Sequence, residues 1–176
     1  MRRGPGDGDD SVAVLKTAPK FDLIAVSEAG PDADAVRDLF LEYGESLGFN
    51  TCFGGFEQEL VTLPGEYAPP RGALLLAREG EERAGCIALR ELDAGAGEMK
   101  RLYVRPRFRG RGLGRRLAEA ALARARAAGY RRVCLDTLPT MLEARGLYGS
   151  LGFKRCEPYY DNACLGTDCY ALELAP

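Results

Sequence analysis

A chain of 176 residues, 46% hydrophobic and 28% charged, has material for one domain with a substantial core and not for two. A net charge of −2 and a sequence pI near 5.4 run against a nucleic-acid-binding domain. The absence of histidine removes Ser-His-Asp and Cys-His catalysis, the usual zinc sites and the commonest general base, so acid–base work falls to carboxylates, tyrosine, lysine, cysteine or water.

Residues 1–19, opening MRRGPGDGDDSVAV, read as a flexible tail before a single domain over 20–176. This stretch is rich in Gly and Asp with no apolar core segment, so it is not expected to act as a signal peptide, and ordering it would cost entropy that no burial offsets. No apolar run approaches the roughly 20 residues of a membrane span, and a cytoplasmic setting without membrane partners is expected.

Phe21–Glu28 predicts a first strand. After Gly30-Pro31, apolar residues at Val36, Leu39, Phe40, Tyr43 and Leu47 have helical spacing, with Asp32 and Asp34 where the helix dipole favours anions. FEQELVTLPGEY predicts a shorter helix stopped at Pro64-Gly65, and YAPPRG an extended loop. ALLLARE and RAGCIALREL flank a GEE turn as a hairpin, and GEMKRLYVRP adds a strand ending at Pro106. Helical periodicity runs from Gly112 to Ala128, with Leu113, Leu117, Ala120 and Ala121 on one face. RRVCLDT predicts a strand, TMLEARGLYGSL a helix, and FKRCEPYY and DCYALELA two closing strands around a polar loop. Hairpins mixed with strand–helix–strand crossovers predict an α/β fold, one mixed sheet with helices on its faces.

The six cysteines form no CxxC pair and read as free, mostly buried thiols, with Cys134 in the core; Cys164 and Cys169 are the one pair placed to bridge in principle. Charge is uneven: residues 1–97 hold 18 Asp/Glu against 9 Lys/Arg, and residues 98–176 hold 8 against 15. Either each half has its own solvated face, or the second half holds an anionic ligand and the first meets a cationic one.

VRPRFRGRGLGRRLAEA, Val104–Ala120, concentrates six of those arginines and three glycines between a strand and a helix. Glycines spaced two apart, with Arg115 in the last required position, fail the dinucleotide fingerprint, and no Gly-Lys-Ser/Thr makes a phosphate loop of the ATPase type. What remains is a glycine turn feeding a helix N-terminus, a geometry whose open N–H groups suit a phosphate. A glycine-loosened turn with a solvated basic rim is the plain alternative.

Arg109-Gly110-Arg111-Gly112-Leu113-Gly114 matches the R/Q-x-x-G-x-G/A signature of the GNAT superfamily of N-acetyltransferases, and Ala144-x-x-x-Tyr148-x-x-x-Gly152-Phe153 resembles that family's last helix and following strand. The resemblance spans roughly Leu74–Leu174. It implies a single GNAT-like domain whose central, mostly antiparallel sheet has splayed central strands and helices on both faces. It further implies acetyl-CoA as co-substrate and no metal. The backbone of Arg109, Gly110, Arg111, Gly112, Leu113 and Gly114 would cradle the pyrophosphate, with Arg107, Arg115 or Arg116 meeting the 3′-phosphate. The main chain of Leu102, Tyr103 and Val104 would pair with the pantetheine arm.

Acetyl transfer to an amine needs a base for the ammonium, polarisation of the thioester and a proton for the leaving thiolate. The resemblance puts Glu98 forward as base, direct or through water, and Tyr148 as general acid; a surface glutamate and a packed aromatic are the plain alternatives. Met141 stands where many relatives carry Asn. For the acceptor, expected to be a small-molecule amine, the loops offer Glu57, Glu59, Glu66, Tyr67, Tyr159, Tyr160 and Asp161, carboxylates and aromatics suited to a cation. Direct transfer in a ternary complex is the leading reading. A non-catalytic acyl-CoA-binding module with a sensing or scaffolding role is the alternative, and a nucleic-acid binder comes third. A homodimer fits the resemblance.

Overall fold

The computed structural model describes residues 21–48, 55–160 and 166–175; the tail, Cys52, Asp161 and Cys164 lie outside them. The strands are β1 (Asp22–Ala25), β2 (Ala73–Glu79), β3 (Glu82–Asp93), β4 (Ala96–Val104), β5 (Arg132–Thr137), β6 (Lys154–Cys156) and β7 (Asp168–Glu173). The helices are α1 (Pro31–Ser46), α2 (Phe56–Thr62), α3 (Leu113–Ala127) and α4 (Leu142–Ser150), with single 3₁₀ turns at Gly65–Tyr67 and Pro106–Phe108.

Pro31 opens α1 with its φ already helical and no lost hydrogen bond, and Asp32 and Asp34 sit in the favourable first turn. Ala33, Val36, Leu39 and Phe40 bury one stripe of it. In α3 the buried stripe is Leu113, Leu117, Ala118, Ala121, Leu122 and Ala125. The two stripes pack on opposite faces of the sheet, which gives two cores. That double cover explains why β2 and most of β3 read as unbroken apolar runs rather than alternating ones.

The sheet order is β1-β2-β3-β4-β5-β7-β6. Every pairing is antiparallel except β4 with β5, which is parallel. That pairing holds only for Ala96–Glu98 against Arg132–Cys134. Beyond it β4 follows β3 to Val104, while β5 follows β7 to Thr137. A bulge in β4, with Arg101 at φ 58, shifts the β3–β4 register between Ala88↔Lys100 and Cys86↔Tyr103. Bulges bend and twist the strand that carries them, so the strand turns away from β5 after Glu98.

The FKRCEPYY strand is shorter than its sequence predicts and stops at Cys156. Pro158 has no N–H for the ladder, and Tyr159 and Tyr160 leave the sheet. Cys86, Cys134, Cys156 and Cys169 are free. No helix among the described residues is long and apolar enough to cross a membrane.

Candidate active site

The gap between β4 and β5 opens into a cavity of about 620 Å³. Its walls are Leu102, Tyr103 and Val104 of β4, the turn at Arg109 and Gly110, the α3 start from Gly112 to Arg115, α4 with the loop before it from Thr140 to Ala144 and Leu147, and Tyr43 and Ser46 of α1. Gly110 and Gly112 take φ of 72° and 77°, left-handed backbone where a Cβ is strained. Arg109 Nε closes the turn by donating to Val104 O at 2.9 Å. The N–H of Arg116 bonds back to Gly112 O at 3.2 Å, so the amides of Leu113, Gly114 and Arg115 are the open end of the helix. Among the described residues no side chain caps that end. Met141 lines the cavity and receives a 3.5 Å contact from Thr137 Oγ1.

Most of the arginines around this turn have internal partners. Arg105 makes a two-pronged pair with Glu42 at 2.6 and 2.9 Å, Arg107 meets Glu82 at 2.6 Å, and Arg116 donates to Phe21 O at 3.0 Å. Arg111 turns its guanidinium to Glu79 and over the Phe21 ring. Arg109 and Arg115 line the cavity, Arg115 donating to Ser150 Oγ at 2.6 Å and pairing with Glu119 at 3.3 Å. The charge asymmetry of the sequence therefore pairs across the fold, acidic α1 and β2–β3 against the basic turn.

Glu98 is 1% exposed and lies at the last β4–β5 pairing. Arg90, opposite it on β3, donates Nε to Oε2 at 2.6 Å and Nη1 to both oxygens of Glu66 at 2.9 Å. Tyr159 donates its hydroxyl to Glu98 Oε1 at 3.0 Å, and Lys100 Nζ stands 3.6 Å from that oxygen. Burial, then the Glu98 charge, push the Tyr159 phenol far above its ordinary value. Tyr148 of α4 is 7% exposed and edge-on to Phe153 at 5.8 Å. Burial, then the fields of Tyr43 and Asp136, raise its phenol as well, so it keeps its proton through neutral pH. Burial pushes the Cys134 thiol up to about 11, which leaves no thiolate there at neutral pH.

A second cavity of about 380 Å³ lies against the α2 side of β4, lined by Gly55, Gln58, Glu59, Thr62, Pro64, Glu66, Tyr67, Arg90, Lys100 and Arg101. Lys100 and Arg101 face it while the next residue, Leu102, faces the first cavity, so the two abut along β4. Glu59 takes Arg101 Nε at 2.9 Å and Nη2 at 2.7 Å, and the Tyr67 hydroxyl at 2.7 Å. Of the acceptor residues named from sequence, Glu59, Glu66 and Tyr67 come together here. Tyr159 joins Glu98, Tyr160 packs edge-on to Tyr159 at 4.9 Å, Glu57 lies exposed on α2, and Asp161 is outside the described residues. Sequence reasoning missed Arg90 and Lys100, as well as Tyr43 and Ser46 of the first cavity. The two-residue Ala94-Gly95 hairpin was the available signal for Arg90, since it places that residue within one position of Glu98. No group of His, Cys, Asp and Glu among the described residues has the arrangement of a metal site.

A family model described as Acetyltransferase (GNAT) family matches residues 34–153. An uncharacterised N-acetyltransferase of Schizosaccharomyces pombe is 41% identical over 146 residues, 82% of this chain and 90% of that protein. An acetyltransferase from Streptococcus agalactiae shares the fold at a TM-score of 0.74 and 22% identity, over 88% of this chain and 98% of that one. A GNAT family acetyltransferase from Elizabethkingia anophelis, solved with acetyl-CoA bound, does so at 0.64 and 21%, over 88% and 98%.

Proposed function

Because the chain belongs to the GNAT family of acetyltransferases, we propose that it transfers the acetyl group of acetyl-CoA directly to the amine of a small molecule, both bound at once. The observation that carries this reading is the parting of β4 from β5 after Glu98, beside a glycine turn and an uncapped helix start. Coenzyme A fits that setting: a diphosphate suits open amides at a positive helix end, and an extended amide-bearing arm suits a strand edge left unpaired. Bound as acetyl-CoA, it would supply the acetyl thioester.

The amides of Leu113, Gly114 and Arg115 hold the diphosphate, with the Arg109 and Arg115 side chains on its rim. Each helix-end contact contributes only about 0.3–1 kcal/mol at an exposed site, so several must converge. The open edge of Leu102–Val104 orients the arm. Glu98 is the proton sink: the ammonium gives one proton to the Tyr159 oxygen while the Tyr159 proton moves to Glu98 Oε1, and the freed amine attacks the thioester carbon. Arg90 holds that carboxylate in place. Tyr148 gives its proton to sulfur as the carbon–sulfur bond breaks, and the second proton, shed by nitrogen as the amide forms, restores it; Glu98 then releases its proton to solvent. Cys134 takes no part, being buried and protonated.

The test is release of free thiol from acetyl-CoA across a panel of small amines, with the N-acetylated product identified by mass. One product per thiol supports catalysis. Binding of acetyl-CoA with no thiol release from any amine would instead identify a non-catalytic acyl-CoA module.

A further inference from the structure

Each carboxylate around the second cavity already has an arginine partner. Glu59 is held by Arg101 and Tyr67, Glu66 by Arg90 through both oxygens, and Glu98 by Arg90 and Tyr159. The cavity also retains N–H donors with no acceptor. Among the described residues Lys100 Nζ makes no hydrogen bond, its nearest partner being Glu98 at 3.6 Å, and Arg90 uses Nε and Nη1 but not Nη2. Both side chains line the cavity, and Lys100 keeps 18% of its side chain exposed. Among the described residues three carboxylates and three cations balance there, so a ligand carrying one charge of either sign would unbalance them.

We infer that the acceptor is a zwitterionic amino acid, its carboxylate held by Lys100 and Arg90 in the second cavity and its amine presented to Tyr159 and Glu98. This rests on the acetyl-transfer reading above. Such a ligand brings no net charge and supplies the acceptor oxygens the free donors lack. Lys100 and Glu98 are adjacent on one strand face, and an α-amino acid separates its amine from its carboxyl carbon by only two bonds. Both ends can then be served by neighbouring side chains. A cavity of about 380 Å³ is at the small end of ligand sites and suits a molecule of this size.

The test compares matched probes that differ only in the carboxylate: L-phenylalanine with 2-phenylethylamine, L-leucine with 3-methylbutylamine, and L-lysine with 1,5-diaminopentane. Thiol release should favour the acids at least tenfold in kcat/KM, chiefly through KM. Calorimetric titration into protein saturated with CoA should show the same order of affinity without any turnover. Lys100→Met should collapse the acid-over-amine ratio, and Lys100→Arg should keep most of it. Equal or better use of the amines, or an unchanged ratio in Lys100→Met, overturns the inference and leaves acetyl transfer standing. If neither set releases thiol from an enzyme that binds acetyl-CoA, the catalytic reading fails and takes the inference with it.

Discussion

Arg90 faces Glu98 across the β3–β4 pair and donates to it at 2.6 Å, so the carboxylate at the mouth of the splay is buried with a fixed counter-ion and a fixed orientation. A carboxylate so held keeps one oxygen toward Tyr159. Glu98→Gln preserves the shape and removes the proton sink. Steady-state kinetics should show kcat lowered by about 10²–10⁴, the range of a general base, with KM for acetyl-CoA little changed. Full turnover in this variant would remove Glu98 from the chemistry.

Tyr148 gives a pH signature. Its phenol lies above the ordinary value of 10.0, chiefly through burial, and the protonated form is the one that acts as an acid. Because the group is raised, the active form persists at every pH below the raised value. The alkaline limb of a kcat profile should therefore not begin below pH 10 on account of this residue. Tyr148→Phe should lower kcat; a wild-type limb near neutrality that disappears in the variant would contradict the assignment.

Gly112 and Gly114 differ in what the backbone requires of them. Alanine at Gly112 meets no neighbour but must hold φ +77, which costs on the order of 1–2 kcal/mol. A Cβ at Gly114 makes only ordinary contacts, 3.7 Å to Leu147 Cδ2 and 3.9 Å to Val104 Cγ2. Thermal denaturation should find Gly112→Ala destabilised and Gly114→Ala not, and titration should find acetyl-CoA weakened in Gly112→Ala and little changed in Gly114→Ala. Equal melting of the two variants would mean the turn relaxes.

The Glu59–Arg101 pair, each side chain 10% exposed, ties α2 to the bulge of β4. Burial pushes the Glu59 carboxyl up, but the Arg101 hydrogen bonds and charge, with the Tyr67 hydroxyl, outweigh it and hold the group below its usual 4.5. A lowered folded-state value gives stability that is present above the unfolded value and lost as pH falls through the folded one. Denaturant midpoints should drop below about pH 4.5, and less steeply in Glu59→Gln. Arg101→Met, which strands the carboxylate, should cost about 3–5 kcal/mol at neutral pH.

How much was legible in the sequence follows from which interactions are local. The turn from Arg109 to Gly114 and the helices α1 and α3 were readable because glycine spacing and apolar periodicity are properties of short segments. The β4–β5 splay was expected from the family resemblance; its cause, a bulge at Arg101, depends on pairing register. Arg90, Lys100 and the partners of Glu59 and Glu66 depend on which strands lie side by side. The acceptor carboxylates looked like a cation site for that reason: from sequence they are free, and in the fold Glu59 and Glu66 already have their arginines. The basic turn likewise reads as a polyanion surface until Glu42, Glu79 and Glu82 are brought against it.

Calorimetric titration of the full chain with acetyl-CoA bears most directly on the splayed cleft as a coenzyme A site. One saturable site per chain with micromolar or tighter affinity, weakened in Gly112→Ala, is the expected result. No saturable heat in the wild type, or binding unaffected by Gly112→Ala, would contradict it.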